Sequence, residues 1–318
     1  MTSADSSAES ESRRLRVAEP TGTGSSAPRP PELPFDNLPL EPSSFVGRER
    51  EIAEVEGLLS DRRLLTLRGP GGAGKTRLAL AIAQEMVEEF ESGVWWVELA
   101  PLSDPELVVR ATAAALGVRE APDRWPIEAL VEHLKGLRAL LILDNCEHLV
   151  EACADLADTL LRTCPELKIL ATSREPLRIA GETNFMVPSL SVPDPRRLPP
   201  AEGLTGYEAV QLFVERARSR LPAFVMTPQH APAVVDVCQK LDGIPLAIEL
   251  AAARTRVLSV EQISEKLEDP LALLTTGVRT AAPRQRTLRA TLQWSYGLLS
   301  EGERELLGRL SVFAGGWT

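Results

Sequence analysis

Eight residues, Gly69-Pro70-Gly71-Gly72-Ala73-Gly74-Lys75-Thr76, narrow what this chain can fold into more than any other feature. They follow the apolar run Leu64–Arg68 and open a stripe in which Leu78, Ile82, Ala83, Met86, Val87 and Phe90 recur at helical spacing, so the helix is expected to run to Phe90. A strand, a glycine turn and a helix in that order gather backbone N–H groups at a helix N-terminus, where partial positive charge favours an anion. The lysine reaches β- and γ-phosphate oxygens and the threonine hydroxyl is a magnesium ligand. The bare pattern arises by chance in roughly one chain in a hundred of this length, given ordinary glycine usage. The flanking strand and helix cut that further.

Around this loop, strand-like and helix-like runs alternate, the pattern of a parallel sheet covered by helices. Strands are expected at Leu64–Arg68, Val94–Glu98, 139–144 and 168–172, with a weaker one at 184–188. Ser103-Asp104-Pro105 supplies a cap and a first-turn proline for a helix that Gly117 closes, and Leu149, Cys153, Leu156, Leu160 and Leu161 mark another. The class is α/β, a doubly wound parallel sheet with helices on both faces.

Residues 1–40 hold 18 Ser, Thr, Pro or Gly and few large apolar groups, too little to offset the entropy of ordering, so they are expected to be disordered. The first domain then covers 41–190, a proline-rich linker 191–206, and an all-α domain 207–280, marked by stripes such as Val210, Phe213, Val214 and Ala217. Residues 281–318 begin a further unit, with a helix over 288–299 and a capping box at Ser300 and Glu303, and the chain is expected to stop mid-fold at Thr318.

Composition removes several function classes. The 318 residues carry 45 acidic and 35 basic side chains, a net charge of −10, which disfavours general attraction to a polyanion and argues against direct DNA binding by this fragment. No apolar run approaches the ~20 residues of a membrane span, and the N-terminus has no apolar secretory core, so the chain reads as cytosolic, with no membrane partner. Three histidines, His133, His148 and His230, leave little material for a histidine-based metal site or a Ser-His-Asp relay. Cys153, Cys164 and Cys238 fall on or beside apolar stripes and read as small core residues, and Cys146 lacks any CxxC spacing. Trp95 and Trp96 should place one ring on each face of the sheet, as packing rather than base stacking. Trp294 and Trp317 read as packing too, and Arg284, Arg286 and Arg289 as a solvated cluster.

The run Leu140-Leu141-Ile142-Leu143-Asp144 ends in a carboxylate, as a strand that anchors magnesium does, although an aspartate there can also simply cap the next helix. Position 145 is where a water-activating acid often sits, and it is Asn145, whose amide cannot accept a proton as a carboxylate does. Glu147 could substitute, or could only complement a helix dipole. Thr172-Ser173-Arg174 delivers polar groups at the carboxyl end of another strand, where Arg174 could touch a γ-phosphate or lie on the surface.

Five motifs in order resemble the STAND class of signal-transduction ATPases, and within it the NB-ARC proteins of bacterial transcriptional regulators, across roughly 45–318. Phe45-Val46-Gly47-Arg48-Glu49 resembles the hhGRE motif that borders adenine; Gly69 to Thr76 is similar to the family's P-loop and Leu140 to Asp144 to its Walker B strand; Ile169 to Arg174 resembles its sensor strand; Gly243-Ile244-Pro245-Leu246-Ala247 is similar to GxPLA, whose proline packs near the base. The resemblance implies the Arg174 strand between the P-loop and Asp144 strands, then a helical ARC1-like domain and the start of a winged helix. It implies ATP or ADP with Mg²⁺, contacted by Phe45, Val46, Gly47, Arg48, Gly69, Gly71, Gly72, Ala73, Gly74, Lys75, Thr76, Arg77 and Pro245. Thr76 and Asp144 would hold the metal, and Lys75, Asp144 and Arg174 would act on the phosphates. The expected function is a nucleotide switch with weak ATPase activity, partnered by downstream sensor or effector domains and a nucleotide-dependent homo-oligomer. The competing reading is an active ATPase or phosphotransferase using Glu147 as base.

Overall fold

The computed structural model describes residues 36–311, apart from 42, 120–124, 195, 197, 198, 200, 269–272 and 275–287. Five strands, β1 (Leu64–Arg68), β2 (Val94–Glu98), β3 (Leu140–Asp144), β4 (Lys168–Ser173) and β5 (Glu182–Met186), pair in the order β2-β3-β4-β1-β5. Every pairing is parallel. The strand that leads to Arg174 therefore lies between the P-loop strand and the Asp144 strand, as the family resemblance implied. β5 begins and ends two residues before the expected 184–188, because its register sets Leu64 opposite Glu182 and Pro188 has no N–H to give a ladder.

Helices α1 (Glu49–Asp61), α2 (Lys75–Met86), α3 (Leu107–Ala115), α4 (Pro126–Leu134) and α5 (Val150–Thr163) cover the sheet. Helix α2 stops at Met86, and a 3₁₀ turn, Val87–Glu89, carries the chain to Phe90, so the last part of the expected stripe is not α-helical. α3 starts after Glu106 rather than at Pro105: Asp104 uses its carboxylate on the Glu106 N–H at 3.0 Å, within a turn that precedes the helix. Gly117 does end it, in a left-handed conformation at φ 67°. Trp95 joins the core on one face of the sheet and Trp96 the core on the other. These two cores are built from strands apolar on both sides, as a buried parallel sheet requires.

Residues 36–38, inside the segment expected to lack order, lie along the free edge of β2. Asn37 Nδ2 donates to the Trp96 carbonyl at 3.0 Å and its Oδ1 accepts from the Trp96 N–H at 2.6 Å, so one amide side chain imitates a neighbouring strand.

After β5 the regular elements among the described residues are helices: α6 (Ala201–Leu204), α7 (Glu208–Arg220), α8 (Ala231–Lys240), α9 (Pro245–Ala252), α10 (Val260–Lys266), α11 (Leu288–Gly297) and α12 (Glu301–Leu310), with a 3₁₀ turn at Ala253–Arg256. Helices α7 to α10 enclose a third core centred on Phe213, which also takes in Val46 and Leu190. The stretch 191–206 carries α6 and is pinned by side chains: Gln239 donates to the Pro193 carbonyl at 2.6 Å. α11 ends two residues before Leu299, and the Ser300–Glu303 capping box opens α12 as its sequence indicates. Arg284, Arg286 and Trp317 lie outside the described residues, as does the Trp294 side chain, and Arg289 is exposed. Among the described residues no helix is long and apolar enough to cross a membrane.

A second capping box opens α10, where Ser259 Oγ accepts from the Gln262 N–H at 3.3 Å and Gln262 returns a bond to the Ser259 N–H at 3.0 Å. Ser259→Ala is expected to cost about 1 kcal/mol, read as a lower urea midpoint.

Candidate nucleotide site

The loop after β1 turns on Gly72 and Gly74, at φ 84° and 91°, and delivers the chain into α2. Side chains rarely adopt those angles, so glycine is what lets the amides converge. Lys75 is buried and folds over the loop, its Nζ donating to the carbonyls of Gly69 at 2.9 Å and Pro70 at 3.2 Å.

Opposite, Asp144 ends β3. Its Oδ1 accepts from the Thr76 hydroxyl at 2.9 Å and from the Thr172 hydroxyl at 2.6 Å, so one carboxylate oxygen joins the P-loop helix, β3 and β4. Thr172 in turn accepts from the Asn145 N–H at 2.8 Å. Asn145 sits in the left-handed region at φ 70°. The Nε2 of His148 lies 3.1 Å and 2.8 Å from the carbonyls of Leu99 and Leu102, which only accept, so Nε2 carries the proton and Nδ1 accepts from the Asn145 amide at 3.2 Å.

Glu147 follows on a 3₁₀ turn (Cys146–His148). Its side chain is 5% exposed and pairs with Arg174, Nε to Oε1, at 3.1 Å. Its second oxygen, Oε2, is buried with no hydrogen-bond partner. Leaving such an atom unsatisfied costs about 1–3 kcal/mol. Hydrogen bonding with the Cys153 thiol, and then burial, push the Cys146 thiol above its ordinary range. All four cysteines are buried and free, and burial raises Cys238 to about 12.

The other wall comes from the 43–48 segment and from α9. Gly47 and Arg48 both lie in the left-handed region, at φ 68° and 70°, and turn the chain into α1. A Cβ on Gly47 would fall 2.6 Å from the Glu208 carboxylate, and that carboxylate accepts from the Arg48 N–H at 2.7 Å and the Ser191 N–H at 2.9 Å. The Arg48 guanidinium donates to the carbonyls of Ala73 at 2.9 Å and Pro188 at 2.8 Å. Burial lowers its pKa, with Glu51 and Glu208 acting against that shift. Arg77 donates to the carbonyls of Ser43 and Ser44 at 2.8 and 2.7 Å and lies 5.8 Å above the Phe45 ring. Glu249 accepts from Arg216 at 2.8 Å and lies 3.6 Å from Arg77.

Between these walls lies a cavity of about 300 Å³. Of the residues expected at the site, Phe45, Val46, Arg48, Gly71, Gly72, Gly74, Lys75, Thr76, Arg77, Arg174 and Pro245 line it. Gly47, Gly69, Ala73 and Asp144 stand behind the lining, Asp144 reaching it through Thr76 and Thr172. Leu190, Leu212, Leu246, Arg216 and Glu249 also line the cavity and had no motif to announce them apart from Leu246 in the GIPLA run. Leu246 matters most, because its N–H donates to the Gly72 carbonyl at 3.3 Å, joining α9 to the phosphate loop.

An AAA-domain family model matches residues 58–183, the span from the end of α1 to β5. The uncharacterized protein Rv0894 of Mycobacterium tuberculosis is 45% identical over 275 residues, covering 86% of this chain and 67% of its own. The chain belongs to the same family as Rv0894, and its residues 58–183 are an AAA domain of the P-loop NTPase fold. Rv0890c of the same organism, named as a putative HTH-type transcriptional regulator, is 46% identical to this chain over 263 residues, covering 83% of this chain and 28% of its own length. This chain thus spans little more than a quarter of that relative. Among solved structures, a signal transduction ATPase with numerous domains and a tetratricopeptide repeat sensor, from Pyrococcus horikoshii, overlays with a TM-score of 0.43 at 18% identity, over 85% of this chain and 35% of that one.

Proposed function

We propose that the chain is an ATP/ADP-operated switch of the STAND, NB-ARC type, working in the cytosol within a signalling or transcriptional regulator. The observation that carries this reading is the bond from Leu246 N–H to the Gly72 carbonyl: the helical part rests on the loop that would hold the phosphates. A change in what the loop holds is then felt at α9 without any intermediary. A relative named as a transcriptional regulator agrees with that role.

The residues fit a magnesium nucleotide. Left-handed glycines open the loop, α2 presents its N-terminus, and Lys75 supplies a cation. Thr76 and Asp144, 2.9 Å apart, are the hard oxygen donors that would hold Mg²⁺, which when bound neutralises phosphate charge. Phe45, Val46 and Pro245 would take the base. Hydrolysis is slow, because Asn145 is neutral with its amide nitrogen committed to His148, and Arg174 is held by Glu147. Downstream sensor or effector domains, and a homo-oligomer formed in one nucleotide state, would read the switch.

The test is direct. Purified protein, once denatured, should release adenine nucleotide detectable by mass spectrometry, and amide hydrogen exchange across α9 should differ between the ADP complex and the complex with a non-hydrolysable ATP analogue. No bound or bindable nucleotide, or identical exchange in both states, would remove the proposal.

A further inference from the structure

We propose that Glu147 is the general base for the slow hydrolysis, and that its pairing with Arg174 keeps it shut away until a γ-phosphate draws the arginine off. This rests on the nucleotide reading above.

Four observations converge on Glu147. The position beside Asp144, where an acid would be sought, holds an amide whose nitrogen is bonded to His148. Glu147 is the next carboxylate along the chain and lines the same cavity as Lys75 and Thr76. The modest alternative, that it complements the dipole of α5, fails on position: α5 begins at Val150, and its first-turn acid is Glu151. Finally, Oε2 is buried, faces no donor and is held on a side chain otherwise fixed by Arg174. Buried polar atoms are nearly always satisfied, so one left unpartnered on a residue that lines a phosphate cavity marks a place for a donor once the side chain is released, and a water molecule is a donor of the right size.

The same geometry explains why the base is quiet. While Arg174 Nε bonds Oε1, the carboxylate is committed as an ion-pair partner and Oε2 is sealed from solvent. Arg174 follows directly on β4, at the carboxyl end of the sheet beside Asp144, where a terminal phosphate carrying more charge than one carboxylate would compete for the guanidinium. Once Arg174 turns away, Oε2 can accept a proton from water. The water oxygen then bonds the γ-phosphorus, and the bond to the bridging oxygen breaks with its electron pair left on ADP.

Two measurements test this on the whole chain. Crystals of the wild-type protein with ADP should keep the Arg174–Glu147 contact, and crystals with the β,γ-imido analogue of ATP should show it broken. In solution, Glu147→Gln should bind ATP within a few-fold of wild type and lose about 100-fold or more in turnover, as removal of a general base does, with Glu147→Asp between them and Lys75→Ala as the blank. The contact intact in the analogue complex, Glu147→Gln turning over like wild type, or wild-type protein that binds ATP and never hydrolyses it would each overturn the assignment. Wild-type protein that fails to bind ATP is seen in the binding arm first, and overturns the switch reading and this one with it. Should Glu147→Gln bind poorly, the aspartate variant and the two wild-type crystals still decide.

Discussion

Lys75→Ala is expected to lower affinity for ADP and ATP by about a hundredfold or more, since charge-assisted bonds to phosphate are worth roughly twice neutral ones and each 1.4 kcal/mol is tenfold. The ammonium is mounted at the end of the phosphate loop itself, and the carbonyls of Gly69 and Pro70 that it now bonds are weak competitors for it. Alanine retains the helix and removes only that charge, so the unliganded fold should survive. The check is calorimetric titration with ADP, paired with thermal unfolding. Wild-type protein gains stability as ADP rises above its dissociation constant, whereas the variant should show no shift at the same concentration. An unchanged titration would mean that the loop binds no phosphate.

Gly243→Ala is expected to destabilise the protein by roughly 3 kcal/mol or more, the sum of a left-handed backbone penalty and a clash that cannot relax. Gly243 has φ +65°, and a Cβ there would lie 2.3 Å from the Leu190 carbonyl oxygen. That neighbour is backbone, already fixed by the bond from Leu190 N–H to the Gly243 carbonyl at 3.0 Å. The contact joins the segment after β5 to the turn before α9, so relieving it would also displace Leu246 from the phosphate loop. Gly57 is the control: it lies on the exposed side of α1, a Cβ there would meet nothing within 4 Å, and alanine should gain about 0.5–1 kcal/mol. Urea unfolding of the two variants should move in opposite directions; a Gly243→Ala midpoint equal to wild type would contradict the geometry.

The part of the molecule legible in its sequence is the part written in short-range pattern. Apolar runs place the strands to within about two residues because a strand buried on both faces needs every side chain apolar, and the glycine loop announces itself because its backbone angles admit little else. Helix ends are less legible: α2 gives way at Met86 to a 3₁₀ turn although the apolar spacing continues. Partnerships between distant residues are not legible at all. Nothing near Gly47 says that a glutamate 160 residues beyond Arg48 fills the space where its side chain would be. Nor does periodicity reveal that His148 fixes the Asn145 amide or that Asn37 patches the edge of β2. Such contacts depend on which elements fold against one another, and a linear pattern records faces rather than partners.

The Glu249 carboxylate has a wider role than its two arginines show. Arg77 comes from the helix that begins with Lys75, Arg216 from α7, and both also hold the Ser44 carbonyl, Arg216 at 2.8 Å and Arg77 at 2.7 Å. Four stretches of chain remote in sequence are thereby yoked at one rim of the cavity. Damage to any of the three charged members should yield a shared defect, a loosened doorway through which the guest escapes early, and suppressors of one lesion should be sought among the other two rather than near the phosphates.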